Sequence, residues 1–196
     1  MAAPFPRQNM GWGWADFVNV LPSLGAAGVA IPNFIKALRS KIGTDLLQVP
    51  TVSVLAHNDQ GQLLLVQDKR SGLWGAPSGI LDPYELPADA AVRETWEEAG
   101  VFVELTHIVG VFAGEYFSGV YSNGDQIACV STVFGARPIR GVPRPDHEET
   151  SDARYVAPCE IALLPCYPHF QMILKAMSQR RPQAHFEPPT WQPTDT

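Results

Sequence analysis

Glu94, Glu97 and Glu98 crowd together near the end of the segment LPADAAVRETWEEAGV (86–101). Three carboxylates at this spacing suit one kind of chemistry. Clustered oxygen donors select hard cations such as Mg2+ or Mn2+. A divalent ion held there can neutralise phosphates, orient them and lower the pKa of an attacking water. Without such an ion the arrangement is costly. Glu94 and Glu98 form a like-charge pair at i, i+4, a loss of about 0.2–0.5 kcal/mol in an isolated helix. All three glutamates also lie toward the helix end, where the dipole disfavours negative charge. No lysine stands on the segment to compensate. A bound cation would give that loss a function.

A helix must position these groups. Pro87 near its start and Gly100 past its end frame one in the favoured sense. With Glu94 at 0° on a wheel of about 100° per residue, Glu98 falls near 40° and Glu97 near 300°, an arc of about 100°. Val92, Thr95, Trp96 and Ala99 fall between about 100° and 200°, and are expected to form the buried face, with the helix packing through Trp96. Ala90 and Ala91 flank the carboxylates and leave room above them. Arg93, at the edge, can pair with one glutamate but cannot neutralise three.

Around this helix the chain reads as strands. TVSVLAH (51–57) and QLLLVQ (62–67) are separated by NDQG, whose residues suit a hairpin turn. GLWGAPSG (72–79) reads as a loop, and VFVELTHIVGVFAGEYF (101–117) as one or two strands. SNGD (122–125) is a turn before the strand-rich QIACVSTVFGARPI (126–139). A polar loop (141–152) leads to ARYVA (153–157), and CEIALL (159–164) suits a helical turn. HFQMILKAMSQR (169–180) is an amphipathic helix with Phe170, Ile173, Leu174 and Met177 on one face. PNFIKALRSKIG (32–43) predicts a further helix through Phe34, Ile35, Leu38 and Ile42, with Gly43 as its stop. Strands on either side of one central helix, with another at the end, predict a mixed sheet packed between helices.

The 196 residues divide into an N-terminal extension (1–48) with its short helix near 32–43, a domain at 49–180, and a Pro-rich tail (181–196) expected to be disordered. FVNVLPSLGAAGVAI (17–31) is apolar but shorter than the ~20 residues of a membrane span, and no basic cluster marks it as a signal peptide. Membrane association is therefore not expected. With 45% hydrophobic and 17% charged residues the chain is globular. Its net charge of −6 argues against a protein that grips nucleic acid by the phosphate backbone. Cys129, Cys159 and Cys166 show no CxxC pairing and suit a reducing cytoplasm. The histidines lack zinc-site spacing.

GILDPYELPADAAVRETWEEAGV (79–101) resembles the signature box of the Nudix hydrolases, with Gly79, Glu85, Arg93, Glu94, Glu97, Glu98, Gly100 and Val101 at every fixed position. Thr95 stands where the family often has an aliphatic residue. The resemblance extends from about residue 49 to 178, and FIKALRSKIG is similar to a short helix preceding the domain in one subgroup. Two departures are Ser78 in the Pro-Gly-Gly often seen before the box, and Tyr84 in place of a frequent glycine before Glu85.

The resemblance implies an α/β fold, a Nudix-type α/β/α sandwich with a mixed central sheet. It also implies hydrolysis of a nucleoside diphosphate linked to another group, using Mg2+ or Mn2+. Glu94, Glu97 and Glu98 would hold the metal, helped by the Gly79 carbonyl, while Glu85 and Arg93 would be a structural pair. The general base would come from the box or from a downstream loop, where Glu149 is the candidate and Glu148 its rival. Arg70, with Lys69, is a candidate for phosphate contact. Trp74 and Tyr116, with Phe117 and Tyr121, are candidates for stacking on a base. The expected partner is a small nucleoside diphosphate derivative, and a homodimer stays open. Two alternatives are a housecleaning (d)NTP pyrophosphatase and a nucleotide-binding module that has lost catalysis. A member acting on RNA 5′ ends would be expected to carry a basic groove, and none is visible.

Overall fold

The computed structural model describes residues 32–121, 123–178, 183–186 and 189. In chain order the elements are α1 (Asn33–Ile42), β1 (Leu47–Ala56), β2 (Leu63–Asp68), β3 (Trp74–Gly75), β4 (Ser78–Ile80) and α2 (Pro87–Ala99). They continue with β5 (Val101–Phe112), a 3-10 turn (Glu115–Phe117), β6 (Ser118–Val120), β7 (Gln126–Gly141), β8 (Thr150–Val156), α3 (Pro158–Ile161) and α4 (Pro168–Ser178). The apolar segment 17–31 lies outside the described residues.

Alternation along two strands decides the layering. β1 sends Val52, Val54 and Ala56 to one side and Leu55 to the other, and β2 divides Leu64 and Val66 from Leu63 and Leu65 in the same way. Both strands are therefore buried on two faces and need cover on both. Ala90, Ala91 and Ala99 of α2 supply it on one side, and Phe170, Ile173 and Ala176 of α4 on the other. The result is the α/β/α sandwich that the resemblance implied.

The larger sheet is five-stranded and runs β4-β1-β7-β5, with β6 also on β7. Its β1–β7 pairing is parallel and the others antiparallel, which makes it mixed. The smaller sheet is β3-β2-β8, antiparallel throughout.

Three expectations are corrected. The NDQG segment does turn, with the Asn58 N–H donating to the Gln62 carbonyl at 3.0 Å, yet β1 and β2 do not pair as a hairpin, and the turn carries just the isolated His57–Leu63 bridge. Both edges of β1 are already taken by β4 and β7, so β2 must join another sheet. GLWGAPSG is not only a loop, since it contributes β3 and β4. The buried face of α2 is not centred on Trp96, which is 43% exposed. The helix approaches the sheets through Ala90, Ala91, Thr95 and Ala99, small enough to allow close contact. Ala91 lies near 60° on the same wheel, so the carboxylate arc overlaps the inward face.

The Pro-rich tail is described at residues 183–186 and 189. Among its described residues, His185 pairs with the outer edge of β5, its N–H donating to the Val109 carbonyl at 2.7 Å and its carbonyl accepting from Val111 at 3.2 Å. Its ring stacks on Phe112 with 5.2 Å between centroids. β5 ends the sheet, so its free edge accepts this addition. Gly110 permits the approach, because a Cβ there would lie 2.6 Å from the His185 carbonyl oxygen.

Candidate active site

The short strand β4 forms a ledge against α2. Its antiparallel pairing with β1 fixes Gly79 opposite Val52 and Ser78 opposite Ser53. The Ser78 N–H donates to Glu98 Oε2 at 2.9 Å. A Cβ added to Gly79 would land on the Glu94 carboxyl group, so only glycine leaves that carboxylate its place. Helix α2 ends as framed, with Gly100 left-handed at φ 67° and its N–H donating to the Trp96 carbonyl.

Arg93 does more than pair with one glutamate. Its Nε and Nη2 donate to the two oxygens of Glu85 at 2.8 and 2.9 Å, a bidentate pair. Its Nη1 donates to Glu94 at 2.8 Å and to Glu97 at 3.0 Å. The bond from Arg93 holds the Glu85 carboxyl below its ordinary range. Glu85 also accepts from the Asp82 N–H, which ties the loop before α2 to the helix. Tyr84, in the position where the family often has glycine, takes the left-handed φ of 71° that glycine adopts freely.

The loop before β8 is organised by Asp146, which the sequence did not mark. Its Oδ1 accepts from the backbone N–H groups of Glu148, Glu149 and Thr150, and from the Thr150 hydroxyl at 2.9 Å. Thr150 Oγ1 in turn contacts the Glu98 carbonyl at 3.0 Å, joining this loop to α2. Glu149 is thereby aimed at the ledge while Glu148 stays exposed. Lys69 is not a cleft residue. Its Nζ donates to the His147 carbonyl at 2.7 Å and its N–H to the Glu149 carbonyl at 2.9 Å, so it also holds the loop. Asp146→Ala is expected to lower kcat about ten- to a hundredfold, as loss of an outer-shell support does, and steady-state kinetics check it. Full activity in that variant would contradict a working role for this loop.

Burial pushes the Glu94 carboxyl up to about 7 despite Arg93, and Glu97 and Glu149 push it further the same way. Burial also raises Glu98 well above the carboxylate range, reinforced by Glu94, Glu149 and Asp146 and opposed by the Ser78 N–H. Carboxylates that repel one another in a half-desolvated space are what a cation relieves, and an all-oxygen donor set fits a hard divalent ion. Among the described residues no three acidic, histidine or cysteine side chains already form a ligand shell. Arg93 draws Glu94 and Glu97 to itself instead.

A pH dependence follows. Raised carboxyls bind more protons in the folded state than in the unfolded one, so between 4.5 and about 7 they make stability fall as pH rises. His169, pushed down by burial to about 4 from 6.5, acts in the opposite sense below 6.5. His57, also pushed down by burial, acts with it, and the raised Cys129 thiol joins the glutamates only as pH nears 9.0, so the range just above 6.5 isolates the glutamates. There the Tm of metal-free protein is expected to fall with pH, and the rise in Tm on adding Mg2+ is expected to grow. A Mg2+ effect independent of pH from 6.5 to 8.5 would contradict the coupling.

Two clefts meet at the ledge. The smaller, about 270 Å³, is lined by Glu98, Glu149, Asp68, Arg70, Tyr116 and Tyr167 among others. The larger, about 780 Å³, is lined by Glu94, Glu97, Glu149, Arg93 and the first turns of α1. Ser78, Gly79, Ile80 and Glu149 belong to both. The structure thus gathers the expected glutamates around Gly79 and brings Arg70 and Tyr116 to the smaller cleft. It does not bring Trp74, which is 3% exposed in the core beneath the Arg154 guanidinium and outside both clefts. As a stacking platform Trp74 is corrected. Tyr167 and His169, whose rings stack at 5.1 Å, line the smaller cleft and carried no local signal.

A family model described as "NUDIX domain" matches residues 47–174. A MutT-like protein of Streptomyces ambofaciens is 32% identical over 117 residues, covering 60% of this chain and 68% of its own. A Bacillus subtilis (strain 168) protein provisionally named 8-oxo-dGTP diphosphatase is 32% identical over 110 residues, 56% of this chain and 67% of its own. A solved NUDIX hydrolase from Nitrosomonas europaea superposes with a TM-score of 0.58 at 21% identity, over 71% of this chain and 76% of that one. Among the described residues no helix is long and apolar enough to cross a membrane.

Proposed function

Because the chain belongs to the NUDIX domain family, we propose that it is a divalent-metal-dependent pyrophosphohydrolase cleaving a nucleoside diphosphate linked to another moiety, such as ADP-ribose or a nucleotide sugar. Hydrolysis of a phosphoanhydride bond is the activity of the family to which it belongs. One observation carries the substrate reading: the glutamates are divided between two clefts that share the Ser78–Ile80 ledge. A phosphoanhydride laid across that ledge would place one sizeable group in each cleft and the scissile bond at the carboxylates.

Glu94, Glu97 and Glu98, with the Gly79 carbonyl, would hold the Mg2+ or Mn2+. When bound, the ion supplies charge neutralisation and acidifies water. Glu149, held by the Asp146 loop, accepts a proton from the attacking water as general base. Arg93 and Glu85 fix the helix against the ledge. Arg70 contacts phosphate in the smaller cleft, and Tyr116, half of it open to solvent, stacks on a base there. The free cysteines fit a reducing cytoplasm.

A second reading, a (d)NTP pyrophosphatase, is favoured by the provisional name of the Bacillus relative. A product screen separates the two. Purified protein with Mg2+ is incubated with ADP-ribose, nucleotide sugars, dinucleoside polyphosphates, NADH and dNTPs including 8-oxo-dGTP, and products are resolved by chromatography. A nucleoside monophosphate plus a phosphorylated partner supports the first reading, and inorganic pyrophosphate from a dNTP supports the second. No cleavage with either Mg2+ or Mn2+ would contradict both.

A further inference from the structure

The larger cleft has a wall that lies ahead of the family match. Helix α1 ends before residue 47, where the match begins, yet Asn33, Phe34, Ile35 and Lys36 line the same cleft as Glu94 and Glu97. The wall is built in. Ile35 is 3% exposed and packs with Val49 and Ile127 of the larger sheet. Arg39 anchors the helix, donating to the carbonyls of Gly43 at 3.2 Å, Asp45 at 2.6 Å and Gln126 at 2.7 Å, with Asp125 at 3.6 Å.

Three cations line this cleft: Lys36, Arg39 and Arg93. Arg39 is consumed by the contacts just given. Arg93 is consumed by Glu85, Glu94, Glu97 and the Ile80 carbonyl. Lys36 is exposed, and among the described residues its ammonium enters no hydrogen bond or ion pair. The remaining charged groups of the cleft are acidic: Asp82, Glu94, Glu97, Asp125 and Glu149. A substrate group entering from the ledge toward α1 therefore meets one available cation on a rigid wall.

From this geometry we propose that Lys36 is a specificity-determining residue, selecting substrates that carry a further anionic group beyond the scissile phosphoanhydride. The proposal rests on the pyrophosphohydrolase reading and narrows its substrate class. Neutral linked groups are accepted, and anionic ones gain the charge-assisted contact.

Two probes with a methylene in place of the α,β bridging oxygen test it, α,β-methylene-ADP and α,β-methylene-ATP, which differ by one phosphate, and chromatography after each titration checks that the β,γ bond of the second stays intact. Their binding to the full chain with Mg2+ is measured by calorimetry for wild type, Lys36→Ala and Lys36→Arg. Wild type is expected to favour the ATP analogue. Lys36→Ala is expected to lose about five- to tenfold of that preference with the ADP analogue and the Tm unchanged, as suits an exposed charge-assisted bond. Lys36→Arg is expected to restore it. An unchanged preference in Lys36→Ala, or equal weakening of both analogues, would overturn the assignment alone. Failure of wild type to bind either analogue, together with a silent product screen, would overturn the parent reading and the assignment with it.

Discussion

Replacing Glu97 with glutamine is expected to abolish Mg2+-dependent turnover while leaving the fold intact. The side chain is 54% exposed and its one described partner is Arg93 at 3.0 Å. Glutamine keeps an acceptor for that contact, and an exposed ion pair contributes about 0–1 kcal/mol. Loss of a carboxylate ligand removes several kcal/mol of charge stabilisation at the reacting phosphate, which is about a thousandfold or more in rate. Glu98→Gln sharpens the test because its stability effect has the opposite sign. Its carboxylate is desolvated and repelled by Glu94, Glu149 and Asp146, whereas a neutral amide retains the bond from Ser78. Turnover should fall similarly while the Tm of metal-free protein rises. Kinetics and thermal melts of the two variants check both halves. Full activity in Glu97→Gln would remove it from the ligand set.

Gly79→Ala is the second change with a large expected effect. Gly79 is not in the left-handed region, so the added methyl meets no backbone penalty and the whole cost is steric. The new Cβ would coincide with the Glu94 carboxyl group, which Arg93 holds from the other side. Crowding of this kind costs about 1–3 kcal/mol, and a displacement of about 1 Å in a positioned group can cost about a hundredfold in rate. Adding Glu94→Asp shortens the carboxylate arm by one methylene and should recover stability but not activity. Wild-type kinetics in Gly79→Ala would show that Glu94 can leave this place without consequence.

The signature segment was legible because its information is local. Pro87, Gly100 and the spacing of the glutamates fix a helix and an acidic arc within a few turns, and the structure keeps them together. The wheel gives angles between residues but not which arc turns inward. Trp96 attracted the prediction of a buried face, although close helix–sheet packing favours alanine. Strand alternation exposed the two-faced burial of β1 and β2, but not that the turn between them changes sheets, since that depends on the distant β7. Trp74 could not be distinguished from a surface aromatic without Arg154 above it. Asp146, Tyr167 and the α1 wall likewise gain their roles from partners far along the chain.

The central claim is that these glutamates bind a divalent ion that the reaction uses. The most direct measurement is electron paramagnetic resonance of Mn2+ titrated into metal-free protein, comparing wild type with Glu97→Gln and Glu98→Gln. The account predicts a saturable Mn2+ site in wild type, displaced by Mg2+ and strongly weakened in both variants. Equal Mn2+ binding in all three proteins would contradict it.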